Sequence, residues 1–442
     1  FNMKNKVDIL SFTYSSKGRD IDIVEPVLSK LELELGVIIK RCWLYDNFVF
    51  DILRYKPKML ILANAIGCHY HFWAAKFASM LGIKVVTFVS EGDYRYINGS
   101  ITTMLYGWNK EEHLYEDLHL EWSQRNINYF STSPSFDENI VKLSGATGFD
   151  KYKLLKFLNK NDFLMKYDLG HYEKIVGLGG WTFDFAFNEN HSTGPIFFGK
   201  ELDGIKASLF ALREGYRALV TNNPDILFIC KKHPLTINEY YDEFSLVREY
   251  PNVITLQTEE NIYDLINVSD LWITFDSTTA LEAWLLGKTT LLYNPVIQDF
   301  NRSSIMKGSP ILTTPEMLID SVKEFYENNR IIDAFSQKEN ERNNIIKEVI
   351  AFCDGKNYLR AADLITSLYL GEKKKKEKVH VAFILKMGGC GIRNFLRNLV
   401  AYSNFFDVIP RVRRFKNTRL ALYNEKEREY YRLIYKEAIT ND

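Results

Sequence analysis

Residues Asp270 to Pro295 read DLWITFDSTTALEAWLLGKTTLLYNP. Leu271 to Phe275 is an apolar run of strand length, Asp276-Ser277-Thr278-Thr279 breaks it, and a helical pattern follows from about Ala280 to Leu286. Gly287 stops that pattern, and a second apolar run, Thr290 to Tyr293, ends at Asn294-Pro295. A strand, a helix and a strand in this order predict a crossover between parallel strands. The hydroxyl residues then fall where the carboxyl end of a strand feeds the amino end of a helix.

That position has a chemical consequence. First-turn N–H groups lack helical partners and the helix dipole favours negative charge there, so an anion such as phosphate is an expected guest. Ser277, Thr278 and Thr279 would add hydroxyl donors, and Glu282, one turn on, would reach a ribose or a second hydroxyl. The same residues also suit plain helix capping, since Thr279 followed by Glu282 fits a capping box. Local sequence leaves both readings open.

Upstream, the apolar run Ile226 to Cys230 reads as a central strand that ends in Lys231-Lys232-His233-Pro234. In an open α/β sheet the loops at the carboxyl ends of neighbouring strands line one crevice, so Lys232 and His233 are expected to face the same anion as the Ser-Thr-Thr turn. Pro234 stiffens the loop. A solvated charge pair after a strand is the plainer alternative.

The two signals, with PNVITLQTEENIYDLINVSDLWI between them, resemble the nucleotide-binding half of GT-B glycosyltransferases. More narrowly they are similar to the bacterial surface-carbohydrate group that includes the capsular Kdo transferases, and more distantly to CDP-glycerol glycerophosphotransferases. The resemblance spans Lys174 to Leu370 well and the preceding half more loosely. It implies that His233 and Pro234, with Ser277, Thr278, Thr279, Glu282 and Ala283, clasp the phosphate and ribose of a nucleotide-sugar donor. It further implies an α/β, GT-B-like architecture of two Rossmann-type doubly wound domains facing a cleft, a metal-independent glycosyltransferase with no cofactor, and a CMP-activated ulosonic acid such as Kdo or a sialic-acid-like sugar as donor. A glycan or glycolipid of the bacterial surface, in capsule or lipopolysaccharide, would be the acceptor.

Composition sets wider bounds. The 442 residues are 46% hydrophobic and 25% charged, and 56 basic residues balance 56 acidic ones. A net charge of +0 gives no global field to draw the chain to nucleic acid. The cysteines Cys42, Cys68, Cys230, Cys353 and Cys390 lack metal-ligand spacing, which fits a reducing compartment. A strand pattern begins at Lys4 and no apolar run approaches the roughly 18 residues of a membrane span. The expectation is a cytoplasmic protein, with room for peripheral association at the inner face of the membrane.

The first 150 residues alternate strand and helix patterns and are read as an acceptor-side domain. Its clearest strand, Ile83 to Val89, ends at Ser90-Glu91-Gly92-Asp93. Glu91 first, and Asp93 second, are candidates for the base that deprotonates an acceptor hydroxyl, against a surface turn with an acidic cap. His69 and His71 follow another strand. Their spacing does not place both on one helix face and suits no metal site, and they are candidates for supporting the site or for contacting the acceptor.

Ser144 to Asp150 resembles the hinge that closes the first domain in this group, with Gly148 where a basic residue would stand. Residues 151–173 are read as a linker and 174–370 as the nucleotide-sugar domain with closing helices, which in GT-B folds often cross back onto the first domain. That domain opens on Lys174 to Thr182, KIVGLGGWT, where Gly179 and Gly180 would let backbone N–H groups approach a phosphate or sugar. Thr182 and Asp184 are candidates for donor or acceptor contact. Asn188 to Gly199 is expected to be a loop over the cleft.

Lys373 to Lys378 is a charged spacer. Val379 to Leu385 beyond it reads as an apolar strand, so residues 371–442 are expected to hold a partial or accessory α/β segment, the start of a further transferase domain or a docking appendage. Three rivals share the architecture or its motifs: a CDP-polyol phosphotransferase, a nucleotide-sugar 2-epimerase, and a non-catalytic glycan-binding module of a larger enzyme.

Overall fold

The computed structural model describes residues 6–64, 69–92, 111, 113–187, 199–234, 236, 238–296, 304–372, 377–402 and 408–441. The chain divides into two units, one of Phe1–Leu155 with Lys347–Asp442 and the other of Lys156–Ile346. Each is built on its own parallel sheet.

Unit 1 holds β1 (Ile9–Thr13), β2 (Ile39–Trp43), β3 (Met59–Leu62), β4 (Lys84–Thr87), β5 (Leu118–Glu121) and β6 (Val141–Leu143). The six strands lie in the order β2-β1-β3-β4-β5-β6 and every pairing is parallel. Side chains alternate across a strand, and here both faces are apolar. Ile9, Met59, Ile61 and Val86 enter one core with the Arg19–Leu35 and Asn357–Leu370 helices. Leu10, Phe12, Leu60, Leu62 and Val85 enter another with the Phe48–Tyr55 and His69–Met80 helices.

Unit 2 holds β7 (Lys174–Gly179), β8 (Ile226–Lys231), β9 (Val253–Leu256), β10 (Leu271–Thr274), β11 (Thr289–Tyr293) and β12 (Ile311–Leu312). Their order is β12-β11-β10-β7-β8-β9, again all parallel. The chain starts in the middle, builds two strands to one side, then returns to build three on the other. That is the order of a Rossmann sheet, with its switch point between β7 and β10. Val176, Leu178, Phe228 and Ile273 face one core, covered by the Gly199–Asn222 and Pro315–Glu327 helices. Ile175, Leu227, Ile229 and Trp272 face the other.

The carboxyl-terminal region departs from expectation. Val381–Tyr402 is one helix, not a strand followed by a helix, and Pro410–Leu422 and Glu425–Asn441 are helical too. A short apolar run does not distinguish a strand from a helix face, and here Met387 and Cys390 supply the buried positions of a helix laid on the second core of unit 1. Tyr435 of the last helix is fully buried and donates from its hydroxyl to Asp22 Oδ1 at 2.7 Å. No partial α/β domain is present among the described residues of 377–441, and these helices belong to unit 1. The closing helix Asn357–Leu370, grouped with the nucleotide-sugar domain in the sequence reading, is likewise part of unit 1, as helices that cross back would be. The expected linker carries the Lys151–Leu154 and Lys160–Lys166 helices, one in each unit.

No helix among the described residues is long and apolar enough to cross a membrane.

Candidate functional site

The register of unit 2 brings the two sequence motifs to one sheet edge. Gly179, the last residue of β7, pairs with Thr274 of β10 on one side and Lys231 of β8 on the other. The three strands therefore end level, and the chain leaves them at Phe275, Gly180 and Lys232. The Ser-Thr-Thr turn and Lys-Lys-His-Pro flank the glycines across the switch point, where the loops of a Rossmann sheet part and leave a crevice.

The glycines serve close packing. A Cβ on Gly180 would lie 2.6 Å from the carbonyl oxygen of Lys231 and 3.1 Å from the His233 nitrogen. One on Gly179 would lie 3.1 Å from Thr279 Oγ1. The amides are turned inward: Gly180 N donates to Lys231 O at 2.8 Å, and Trp181 N donates to Glu243 Oε1 at 2.6 Å. The glycine pair thus draws the β8 exit and the Thr279 helix together, while the Gly180 and Trp181 N–H groups stay within the protein.

The lysines are also engaged inward. Lys231 Nζ donates to the carbonyls of Gln257 and Glu260. Lys232 is buried and its ammonium lies 3.1 Å from Glu239 and 3.2 Å from Asp242. Burial alone would lower its pKa, but the two carboxylates outweigh it and hold the ammonium charged. His233 is half-buried, and its carbonyl accepts from Gln257 Nε2 at 3.1 Å, which fixes the loop.

In the hydroxyl turn the helix runs Thr279–Leu285, and Thr278 before it makes no side-chain capping bond. The Thr279–Glu282 capping box is therefore absent. Instead Ser277 Oγ accepts from Thr279 N at 3.2 Å and from Thr279 Oγ1 at 3.0 Å, and Thr279 Oγ1 accepts from Trp272 Nε1 at 3.1 Å. Ser277 and Thr279 lock the turn to the sheet. Thr278 is half-buried.

Besides Glu243 Oε2 and Thr236 Oγ1, three buried polar atoms near this edge have no hydrogen-bond partner among the described residues. They are Thr274 Oγ1 at the end of β10, Thr182 Oγ1 beyond the glycines, and Glu282 Oε2 in the first turn of the helix. Buried polar atoms are almost always satisfied, and leaving one unmade costs about 1–3 kcal/mol. All three belong to residues at or just beyond the carboxyl ends of β7 and β10. Asp184 is committed elsewhere, accepting from Asn238 N at 2.9 Å.

Glu243 was not legible as a site residue. It lies twelve residues from Lys231 with no motif around it, yet its carboxyl clamps the Gly180-Trp181 turn. Burial pushes that carboxyl up to about 8, against the lowering effect of the Trp181 N–H.

In unit 1, Glu91 follows β4, is exposed, and forms an ion pair with Arg19. Asp93 lies outside the described residues. His69 opens the His69–Met80 helix and is half-buried, whereas His71 is buried within it, so the two point differently as their spacing requires. The sequence reading passed over His119 on β5, where Nδ1 lies 3.2 Å from Glu116 and Nε2 lies 2.9 Å from Glu121. Burial would lower its pKa, but the two carboxylates raise it to about 9.

No family model matches the chain, and no curated protein matches it in sequence. Solved structures do match in fold. A putative UDP-N-acetylglucosamine 2-epimerase from Listeria monocytogenes superposes with a TM-score of 0.55 at 12% identity, over 85% of this chain and 100% of that one. The MnaA–UDP complex from S. aureus gives 0.55 at 14%, over 84% and 100%. The wall teichoic acid polymerase TagF gives 0.52 at 11%, over 82% and 88%. At such identities the likeness concerns the fold, which is the two-domain α/β fold of the GT-B kind, shared by these epimerase and polymerase structures.

Proposed function

We propose that unit 2 holds the nucleoside-diphosphate end of a nucleotide-activated sugar, and that the chain is an enzyme acting on that sugar. The observation that carries this reading is the group of unpartnered buried atoms, Thr182 Oγ1, Thr274 Oγ1 and Glu282 Oε2, on the switch-point edge. The hydroxyls of Thr278 and Thr182 suit phosphate oxygens, and the Glu282 carboxylate suits a ribose hydroxyl. His233 stands at the same edge to meet negative charge gathering on the nucleotide as its bond to the sugar loosens. Structures of this fold hold UDP in MnaA and carry UDP-N-acetylglucosamine 2-epimerase function by description, which favours a uridine nucleotide over CMP.

Two reactions fit. Epimerisation beside the anomeric carbon is favoured by the epimerase structures: a carboxylate or histidine takes the C2 proton as the C1–O bond to the nucleotide breaks, and a proton returns to the other face of C2 as the nucleotide re-adds to C1, with no second substrate. Transfer to a surface-glycan acceptor, from a CMP-ulosonic acid in its narrower form, is favoured by the His-Pro and Ser-Thr-Thr-Glu-Ala motifs and requires a base such as Glu91 for the acceptor hydroxyl. Incubation with UDP-N-acetylglucosamine alone in deuterated water, followed by proton NMR, separates them. A C2 epimer carrying deuterium supports epimerisation. An unchanged sugar together with acceptor-dependent release of nucleotide supports transfer, and failure to bind UDP, CDP or CMP contradicts both.

A further inference from the structure

A second polar site lies in unit 1, on the outer side of β2, the edge strand of its sheet. The carboxyl end of the Arg19–Leu35 helix, the start of β2 and the Glu425–Asn441 helix enclose an open pocket of about 640 Å³. Five cations line it, Lys40, Arg41, Arg428, Arg432 and Lys436, against the carboxylates of Glu32, Glu425 and Glu429. Glu25 lies behind them, fully buried, and pairs with Arg41 at 2.7 Å and with Arg428 at 2.5 Å. Adding it, five positive groups still face four negative ones.

The arginines are unequal. Arg41 spends its fork on Glu25 and Glu32. Arg428 is 3% exposed, and beyond its ion pair with Glu25 its Nε and Nη2 are buried without a hydrogen-bond partner among the described residues. Arg432 Nε is in the same state, although its other nitrogens approach Glu429 and Glu32. Arginine keeps its charge, and Glu25 answers Arg428 and Glu429 answers Arg432 on one side of the fork only, so the remaining buried N–H groups call for a further acceptor. The helix end at Gly36 opposes an anion with only about half a charge, spread over several carbonyls. Full guanidinium charges outweigh it.

We infer that this pocket binds the phosphate group of a small phosphorylated molecule, with Arg428 and Arg432 donating to its oxygens and Lys40 and Lys436 at the mouth. Phosphate accepts two parallel N–H bonds from a guanidinium, the donor pattern left open here. The pocket is far roomier than one phosphate needs, so the rest of the molecule has space beside Tyr423. It faces the amino-terminal start of β2, whereas the Glu91 loop leaves the carboxyl end of β4 in the same parallel sheet.

The test is calorimetric titration of the full chain with inorganic phosphate, comparing wild type, the Arg432→Gln/Lys436→Gln pair, and Lys206→Gln, which removes an exposed charge in unit 2. Binding should weaken at least about tenfold in the pair, as the loss of charge-assisted bonds implies, and stay unchanged in Lys206→Gln. If the pair fails to fold by circular dichroism, the surface variant Lys40→Gln/Lys436→Gln takes its place, with a smaller loss of about threefold expected for rim charges. The inference is overturned if wild type takes up no phosphate at millimolar concentration, or if the unit 1 variants bind it as tightly as wild type does.

Discussion

Glu282 and Glu243 are two carboxyls of one sheet edge with opposite tasks. Glu282 offers a buried oxygen that no described residue hydrogen-bonds. Changing it to Gln should weaken nucleotide binding by about 1.5–3 kcal/mol, roughly ten- to hundredfold, as expected for a hydrogen bond to a charged group, with little change in melting temperature. Glu243 is structural: it receives the Trp181 N–H and is held neutral by burial. Its folded pKa of about 8 stands above an unfolded value near 4.5, so the stability it contributes is complete below 4.5 and is lost as pH rises through 8. Wild type and Glu243→Gln, whose amide mimics the neutral carboxyl and does not titrate, should melt alike near pH 4.5 and diverge as pH rises, wild type falling below the variant. A constant offset would show that the carboxyl is ionised throughout.

At the scale of elements, the Thr279–Leu285 helix is tied to β10 through one hydroxyl. Thr279→Val removes the acceptor for the indole N–H of Trp272, a fully buried residue, and should cost about 1–3 kcal/mol in chemical unfolding of unit 2. In unit 1 the Glu425–Asn441 helix is held by Tyr435. Tyr435→Phe, which loses only the bond to Asp22, should cost about 1 kcal/mol, and Tyr435→Ala, which also leaves a cavity, about 3–5 kcal/mol in the same measurement.

Elements were legible where sequence pattern and packing agree. The strands of unit 2 announce themselves as apolar runs ending in polar turns, and Gly179 to Thr182, Lys231 to Pro234 and Asp276 to Thr279 do lie at their carboxyl ends. Residues 379–385 read as a strand because six of the seven are apolar, and seven residues hold fewer than two turns of helix, too few to show its period. The inward turn of Lys231, Lys232 and the Gly180 amide was not legible, since each depends on an acceptor distant in sequence or on the loop after it. Glu243 and Arg428 were hidden for the same reason. Their partners, Trp181 and Glu25, lie far along the chain.

At the scale of the whole molecule, the two units repeat one plan, a six-stranded parallel sheet covered on both faces, with different strand orders. A Rossmann order places the switch point of unit 2 between β7 and β10, and Thr182, Thr274 and Glu282 carry unpartnered buried oxygens near that edge. Unit 1, with the carboxyl-terminal helices laid on it, carries Glu91, His119 and the arginine pocket. The central claim is that the nucleotide sits on unit 2 at the switch point. Hydrogen exchange by mass spectrometry, with and without saturating UDP, tests it most directly. Slower exchange confined to peptides spanning 179–182, 231–234 and 274–282 is the predicted result. Protection that leaves those peptides unchanged and appears on unit 1 instead, around 36–41 and 425–436, would contradict it.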